Sequence, residues 1–492
     1  MASFSIAQNG LKELRKIDEK LVSYNVEMTE VTGGTFWKAY TQGQIDGTEI
    51  FPPITDFSNM QALMQWYDPI DLTEKNIIML AKALGICYVR VSGTWATGTY
   101  YDFDGHTNGK IPEGYRAVLT KEQWTRLLDF VKAVGAKLMI SVSNCAGNHE
   151  GGKPWTPEQA KLIFDYSIEY GVPINAAEFM NEPNALAVSG APAGYTAEDF
   201  ARDQDSFYRF VKENYPDVLL VGPSGAGDKV SEDAVPMTSA CEMVSTDDLL
   251  ALCKENSNVF SYHCYNGLSE RGASIGHHWL PEEATTEPYF DVVKDTALYF
   301  AKIRDKFCPG AQMWVTESGD AGAGGNTWAS TFLDVLRTVN ELGVFATITD
   351  GIIFHNTFAS SDYGYLDHAT HLPRPNYWAV YLWNRLMGTT VYDSNIAITE
   401  GAHVYVHSRR DGKNGYAYAI INNSTTETTK VELPKAAEVY MLHADNVRSK
   451  EMKLNGKVLE LTSEETIPEM KPVIVEQGTL ELAPTTVAYV VL

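Results

Sequence analysis

The sequence of 492 residues lacks the features that mark several large classes of protein. It has no run near the roughly 20 consecutive apolar residues of a membrane-spanning helix. The N-terminal stretch MASFSIAQNGLKELRKIDEK has no apolar core of a signal peptide, which predicts a cytoplasmic protein. A secreted form whose signal has been removed is the alternative. These absences argue against a helical membrane protein and leave the compartment open.

Positive charge is also scarce. The chain has 39 lysines and arginines against 63 aspartates and glutamates, which gives a formal net charge of −24. Nucleic acids and anionic membranes are bound non-specifically through basic patches, so we expect neither as a partner. The composition does not fix an oligomeric state.

Cysteine is sparse and has no motif spacing. The six cysteines form no CxxC pair, which predicts free thiols rather than disulfides or a zinc site. His277 and His278 have no spaced partner ligands, so we expect no metal. The segment GPSGAG, 222–227, has the spacing of neither a Walker loop nor a nucleophile elbow. The sequence therefore predicts no cofactor.

Short apolar runs, in contrast, are frequent between about residues 20 and 360. Eight are predicted as strands, at 21–28, 86–93, 137–144, 175–182, 218–225, 258–265, 312–318 and 351–358. Most are continuously apolar, as parallel strands covered on both faces must be. Amphipathic patterns predict helices between strands, at 73–85, 120–136, 156–171, 196–216 and 326–343. This alternation predicts an α/β fold, a (β/α)8 TIM barrel over residues 20–387.

The pattern changes after residue 388. Asn–Gly pairs at 414–415 and 455–456 predict two hairpin turns, and the chain ends in the strand-like run TTVAYVVL. Short strands without a helix predict a C-terminal antiparallel β-sandwich domain over 388–492. Residues 3–18 precede the first barrel strand and are candidates to join that sandwich.

Polar residues end several predicted barrel strands. Asn181 and Glu182 end the fourth, His263 and Tyr265 end the sixth, and Glu317 ends the seventh. The active site of such a barrel lies at these strand ends, so the two glutamates are expected to face each other there. Glycoside hydrolysis needs two carboxyls, and a short gap between them gives retention of configuration. A surface-loop position is the alternative for either glutamate alone.

An ordered set of motifs adds a family resemblance. The set is VRVSGT (89–94), EFMNEPN (178–184), SYHCYNG (261–267), WVTESG (314–319) and SSDYGYLD (360–367). It resembles glycoside hydrolase family 79, the heparanase and β-glucuronidase family, within the barrel glycosidases of clan A. The resemblance spans about residues 20–390 and implies a retaining β-glycosidase without a cofactor.

The resemblance also implies roles for individual residues. Glu182 matches the family's general acid/base and Glu317 its nucleophile. Asn181 matches the residue that binds the sugar 2-hydroxyl, and Tyr265 matches an aromatic residue near the nucleophile. In the family, glycine amides and a tyrosine hold the glucuronate carboxylate, and the matching positions are Gly324, Gly325 and Tyr363.

For several of these positions, a second interpretation remains open. Asn25 and Glu27 stand near the end of strand one, where family members often have an aspartate that binds a sugar hydroxyl, so the sugar is left open. A helix predicted to begin at Asn326 would point backbone N–H groups at a carboxylate. A flexible connection is the alternative for the glycines, plain packing is the alternative for Tyr363, and a hydrogen-bonded core histidine is the alternative for His263.

The first hypothesis is therefore a retaining exo-β-glucuronidase that takes a glucuronide as its carbohydrate substrate. A retaining β-glycosidase for a neutral sugar is the close variant, and a non-catalytic carbohydrate-binding barrel is the rival from another class. Endo-cleavage of a sulfated polymer would need a basic groove, which suits this acidic composition less well.

Overall fold

The computed structural model describes residues 2–52, 57–186, 188–230 and 243–492, without the side chains of 57–59. Cys241, one of the predicted free thiols, lies outside the described residues. Eight parallel strands close into a barrel in which each strand pairs with the next along the chain and the eighth pairs with the first. The barrel strands are Val22–Glu27, Tyr88–Ser92, Lys137–Ser141, Ile174–Glu178, Leu219–Gly225, Val259–Tyr265, Gln312–Gly319 and Ile352–His355. The predicted (β/α)8 barrel is thus confirmed.

Helices connect the barrel strands and cover the outside. The longer ones are Lys75–Ala83, Lys121–Val134, Glu158–Glu169, Ala197–Asn214, Thr246–Leu252, Glu287–Phe307, Phe332–Ile348 and Pro375–Leu386, and the short ones are Met28–Thr32, Gln42–Ile45 and Thr94–Thr97. The Thr120 hydroxyl caps its helix by accepting the Gln123 N–H, and Gly135 ends the same helix in the left-handed conformation. None of the helices in the described ranges has the length and apolar character of a membrane span.

Several predicted boundaries were wrong near the carboxyl ends of the strands, and the third and eighth strands end at Ser141 and His355 instead of residues 144 and 358. The helix expected over 326–343 runs from Phe332 to Ile348. Asn326 instead donates its N–H to the Asp320 carboxylate, and Ser330 donates its N–H to Asp334, so side chains take the amides a helix would use. The fourth barrel strand, expected to reach residue 182, ends at Glu178.

The barrel interior consists of two stacked layers. A buried cluster takes at least one apolar residue from each of strands two to eight: Tyr88, Met139, Ala176, Val221, Val259, Trp314, Ile352 and Phe354. Two residues further along most of these strands, or three in the fifth, the buried side chains are polar: Arg90, Ser141, Glu178, Ser224, Ser261 and Thr316. Alternate residues of a strand share a face, so both layers point inward. The polar layer lies on the side of the carboxyl ends, directly below the candidate site.

The N-terminal strands and the region after the barrel together form a β-sandwich. One sheet holds Glu13–Lys16, Met387–Tyr392, His403–Arg409, Tyr416–Asn422, Ala437–His443, Lys453–Leu454, Lys457–Val458, Val473–Val475 and Thr486–Val491. The facing sheet holds Ser3–Ser5, Thr429–Leu433 and Gly478–Leu482, and a buried apolar cluster joins the two. Both predicted Asn–Gly hairpins are confirmed by antiparallel pairing. Ser3–Ser5, however, runs parallel to its neighbour. The domain boundaries at 387 and 388 stay a prediction.

Two small sheets lie outside the barrel and the sandwich. The strands Gly34–Trp37 and Met64–Tyr67 pair antiparallel, and Thr99–Asp102 pairs in parallel with Ala117–Thr120. The first of these sheets packs Phe36 and Trp37 in one cluster with Tyr363, at the carboxyl end of the barrel. It therefore forms part of the wall around the candidate site.

Candidate active site

Glu182 and Glu317 meet at the carboxyl end of the barrel. Glu182 lies in a turn after the fourth strand and adopts the left-handed conformation, with φ 45° and ψ 57°. Glu317 lies within the seventh strand. Their carboxylate oxygens approach within 4.8 Å of each other. Retaining glycosidases separate their two carboxyls by roughly 5–5.5 Å, whereas inverting enzymes need roughly 6.5–9.5 Å for a water molecule, so this spacing fits retention.

The two carboxyls differ in their access to solvent. The Glu317 side chain is 7% exposed, whereas the Glu182 side chain is 26% exposed. A nucleophile must reach the anomeric carbon from a fixed position, and an acid/base must also reach a leaving group and then a water molecule. The deeper Glu317 suits the first task and the more open Glu182 suits the second.

Arg90 links three residues beneath this pair. Its fully buried guanidinium donates to Glu178, to Glu317 Oε1 at 3.1 Å and to Asn181 Oδ1 at 2.8 Å. Burial acts to lower the pKa of Arg90, but the charges of Glu178 and Glu317 raise it above its ordinary value. Arg90 therefore stays a cation that fixes one oxygen of Glu317. In the sequence, Arg90 is a charged residue inside an apolar run, a signal that by itself indicates no particular role.

Glu178 is the second carboxylate on Arg90. It is fully buried and also accepts hydrogen bonds from the hydroxyls of Ser92, Ser141 and Ser224. Burial by itself would raise the pKa of Glu178, but the Arg90 charge and these donors bring it below the ordinary value. Glu178 thus balances the Arg90 charge without facing the pocket.

Tyr265 holds the other oxygen of Glu317. Its hydroxyl donates to Glu317 Oε2 at 2.9 Å, and burial raises its pKa well above the ordinary value, so it remains a donor. The Asn356 amide donates to the hydroxyl oxygens of Tyr265, at 2.9 Å, and Tyr363, at 3.1 Å. Asn356 directly follows the eighth barrel strand and was not among the predicted site residues, although its position after an apolar run was the available signal.

His263 lies between the two glutamates. Its Nδ1 is 3.0 Å from Glu182 Oε1 and 3.6 Å from Glu317 Oε2. Its Nε2 is buried without a hydrogen-bond partner in the described part of the chain. These three side chains also have the spacing of metal ligands, as do Asp102, Asp104 and His106 at the surface. A histidine that bonds to Glu182 and lies close to Glu317 accounts for the first group without an ion.

Asn25 and Glu27 lie on the first barrel strand beside the nucleophile. Asn25 donates to the Thr316 carbonyl at 3.0 Å and to Asn356 Oδ1 at 3.1 Å. Burial raises the pKa of Glu27 well above its ordinary value, and the negative charges of Glu317 and Glu30 add to this. Both Asn25 Oδ1 and Glu27 Oε2 are buried without a hydrogen-bond partner among the described residues. Buried polar atoms without a partner are rare, so Asn25 and Glu27 remain candidates for contacts with the sugar.

Gly324 and Gly325 form a tight loop beside Tyr363. Both have positive φ, 87° and 85°, and a Cβ on Gly324 would come within 2.7 Å of Trp37, while one on Gly325 would come within 2.9 Å of Tyr363. Only glycine therefore fits at either position. The helix that was predicted to begin at Asn326 begins at Phe332 instead, so its N-terminus does not directly follow this loop.

Arg271 fixes the direction of the loop's peptide groups. Its guanidinium donates to the carbonyls of Ala323 and Gly325, both at 3.1 Å. In a planar trans peptide the N–H points opposite to the C=O. The Gly324 N–H therefore points away from Arg271, whereas the Gly325 N–H bonds to the Ala321 carbonyl.

Comparison with known proteins agrees with this geometry. The model of the glycosyl hydrolase family 79 N-terminal domain matches residues 69–343, more than half of the chain. The chain is similar to a baicalin-β-D-glucuronidase of Scutellaria baicalensis, with 24% identity over 76% of this chain and 72% of that protein. It is also similar to heparanase-like protein 1 of Arabidopsis thaliana, with 24% identity over 86% and 85%.

A solved structure extends the likeness to the whole fold. A 4-O-α-L-rhamnosyl-β-D-glucuronidase from Fusarium oxysporum superposes with a TM-score of 0.66 over the full length of both chains, at 11% identity. At that identity the likeness concerns the fold alone. The family model, the barrel and the carboxylate pair lead to one conclusion: the chain is a glycoside hydrolase that belongs to glycosyl hydrolase family 79.

Proposed function

We propose that the protein is a retaining exo-β-glucuronidase in which Glu317 is the nucleophile and Glu182 the general acid/base. The observation that carries this proposal is the approach of the two carboxylates within 4.8 Å, with Glu317 held by Arg90 and Tyr265. These two donors hold the Glu317 carboxylate in a fixed position, which a nucleophile requires.

In the first step, a Glu317 oxygen attacks the anomeric carbon of the sugar while Glu182 gives its proton to the leaving oxygen. The bond from C1 to the aglycone oxygen breaks, and a glycosyl ester forms on Glu317. Esterification removes the Glu317 charge. The alcohol leaves by the more exposed side of the pocket, where Glu182 lies.

In the second step, Glu182 takes a proton from water, and the water oxygen attacks C1 as the ester bond breaks. The carboxylate of Glu317 is restored, and two displacements leave the configuration at C1 unchanged. His263 contacts Glu182 at 3.0 Å and positions that carboxyl through both steps.

Two observations support glucuronate as the sugar. The relative from Scutellaria baicalensis is named as a β-D-glucuronidase. The Tyr363 hydroxyl, which accepts from Asn356, and the Gly324 N–H, which points away from Arg271, are uncharged hydrogen-bond donors that a carboxylate can use. The acidic composition also favours release of a terminal sugar over cleavage within an anionic polymer.

A panel of nitrophenyl glycosides tests the sugar assignment. We expect hydrolysis of the β-glucuronide, with the β-glucoside and β-galactoside at least about 100-fold slower in kcat/KM because they lack the carboxylate. Activity on a neutral glycoside with none on the glucuronide would reject the assignment and leave the retaining mechanism standing.

Azide rescue tests the two roles separately. With a β-glucuronide and azide, Glu317→Gly should form the α-glucuronyl azide, because azide takes the place of the nucleophile. Glu182→Ala should form the β-glucuronyl azide from activated substrates, because azide attacks the intact glycosyl ester. If both variants gave the same anomer, the assignment of roles would be wrong.

A further inference from the structure

A second cavity lies next to the candidate active site. It has a volume of about 280 Å³, a floor that includes the buried Thr29, Glu30 and Phe36, and a rim that includes the exposed Asp68 and Asp71. It contains neither Glu182 nor Glu317. The cavity is thus open to solvent and distinct from the catalytic pair.

Three polar atoms of the lining residues lack partners. Thr29 Oγ1, Glu30 Oε1 and His368 Nδ1 are buried and form no hydrogen bond within the described ranges, and all three residues line this cavity. Thr29 is 3% exposed and Glu30 is 5% exposed. A buried polar atom without a partner costs about 1–3 kcal/mol, so three in one cavity call for water or a ligand.

The chemistry of these atoms fits hydroxyl groups. The Thr29 hydroxyl can donate and accept. Burial raises the pKa of Glu30 to about 8, so at neutral pH its carboxyl carries a proton that it can donate. His368 is neutral, since burial lowers its pKa, and one ring nitrogen can accept. A ligand hydroxyl needs both donors and acceptors, and this floor provides both.

The walls of the cavity narrow the class of ligand. The rings of Phe36 and Tyr67 provide apolar surface beside the polar atoms, as carbohydrate sites often do. No lysine or arginine lines it among the described residues, whereas Asp68, Asp71 and Glu74 do. An anionic sugar would be repelled by these carboxylates. The volume lies just below the roughly 300–1,000 Å³ of drug-sized ligands, which suits one monosaccharide unit.

The cavity shares its walls with the candidate active site. Glu30 accepts the backbone N–H of Glu27, and the Ser361 hydroxyl donates to the Gly324 carbonyl at 3.0 Å. The Phe36 ring packs against Trp95, with ring centroids 5.0 Å apart. An occupant would therefore lie one residue away from Glu27 and Gly324, two of the candidate sugar contacts.

We propose that this cavity is a second carbohydrate site that binds one neutral monosaccharide unit. The unit is either a free sugar or a neutral residue carried by the substrate. The proposal does not depend on which sugar the catalytic pair cleaves.

Calorimetric titration of the full chain with D-glucose, D-xylose and L-rhamnose tests the site. We expect one of them to bind, and Thr29→Val to weaken that binding about two- to tenfold through loss of one hydrogen bond. Thr32→Val is the matched control, because Thr32 lies on the same short helix and its hydroxyl bonds to Met28 and Gly33 instead. If Thr29→Val does not fold, His368→Leu removes another unpartnered atom and should weaken binding similarly.

Two results would overturn the proposal. Binding of none of these sugars would mean that the cavity holds only water, and equal affinity in the wild type and both cavity variants would place the sugar elsewhere. Kinetics on glucuronides with and without an attached neutral sugar distinguish a free sugar from a sugar residue carried by the substrate. A higher KM of Thr29→Val for the substituted substrate alone indicates a substrate-borne unit, and no change for either indicates a free one. This kinetic arm rests on the proposed function, whereas the titration does not.

Discussion

The two layers inside the barrel are built by the same strands and are both buried, yet one is apolar and the other is polar and charged. Tyr88, Ala176 and Trp314 fill the lower layer with apolar surface. Two residues on, Arg90, Glu178 and Thr316 place a buried charge pair and a hydroxyl in the upper layer. Apolar contacts need only volume, whereas buried charges need each partner in place. The lower layer therefore closes the barrel, and the upper layer positions Glu317.

Arg90 joins the interior of the barrel to the candidate active site. It contacts Glu178, which faces inward, and Glu317, which faces the substrate pocket. Arg90 thus ties the proposed nucleophile to a carboxylate buried inside the barrel. The polar layer is best understood as the support of Glu317.

The largest effect is expected from removing the shared cation. Arg90→Met leaves Glu178 buried without its counter-ion and should destabilise the protein by about 3–5 kcal/mol. It also takes away the 3.1 Å contact to Glu317, so kcat/KM should fall by more than about 100-fold in the folded protein. Thermal unfolding and steady-state kinetics measure both. Unchanged kinetics in a folded Arg90→Met protein would show that Arg90 does not position Glu317.

The matching change in the lower layer is Trp314→Ala. Loss of this fully buried ring should destabilise the protein by about 3–5 kcal/mol. No atom of Trp314 is hydrogen-bonded to the carboxylate pair, and its indole N–H donates to Gln312. At a temperature where the variant is folded, kcat/KM should stay within about threefold of the wild type. A loss as large as that of Arg90→Met would show that the layers do not act separately.

Tyr265→Phe sharpens the comparison within the upper layer. It removes a hydrogen bond to Glu317 but keeps the ring. A hydrogen bond to a charged group contributes about 1.5–3 kcal/mol, so stability should fall by no more than that and kcat/KM by roughly ten- to hundredfold. Tyr67→Phe is a control that also removes a tyrosine hydroxyl near the site, where the hydroxyl donates to the Trp37 carbonyl. Equal losses in both variants would contradict the role of Tyr265.

The prediction with the smallest expected effect on catalysis concerns the pH dependence of stability. Burial raises the pKa of Glu30 from 4.5 to about 8, with the Glu27 N–H acting in the opposite direction. Between these values the native state keeps a proton that the unfolded chain releases, so stability should fall as pH rises from 4.5 to about 8 and level off above. Glu30→Gln should remove that part of the slope, whereas Glu169→Gln, at an exposed helix end, should not. Parallel melting curves for all three proteins would contradict the assignment.

The sequence was sufficient for the barrel and for placing two glutamates at its carboxyl end. Most barrel strands contain a near-continuous apolar run, and Glu182 and Glu317 follow or end such runs, so local pattern carries this information. The loop at Asn326 was predicted wrongly because Asp320, six residues earlier, accepts its amide. That contact depends on how the chain folds back, which periodicity does not record.

The upper polar layer was not predicted for a different reason. Arg90 and Glu178 lie on the second and fourth strands and Asn356 directly follows the eighth, and each looks like an isolated polar residue in or after its own run. They become a network only because barrel closure brings Arg90 to Glu178 and to Glu317. The orientation of Glu182 likewise depends on a left-handed turn that the motif Asn-Glu-Pro does not specify.

The most direct measurement is covalent trapping of the nucleophile. A 2-deoxy-2-fluoro-β-glucuronyl fluoride forms the ester on the enzyme but slows its hydrolysis, so mass spectrometry of the digested protein can locate the label. We predict one glucuronyl group per chain, on the peptide that contains Glu317, and none in the Glu317→Gln variant. A label on Glu182 or Glu178, or hydrolysis of a natural glucuronide with inversion, would contradict this account.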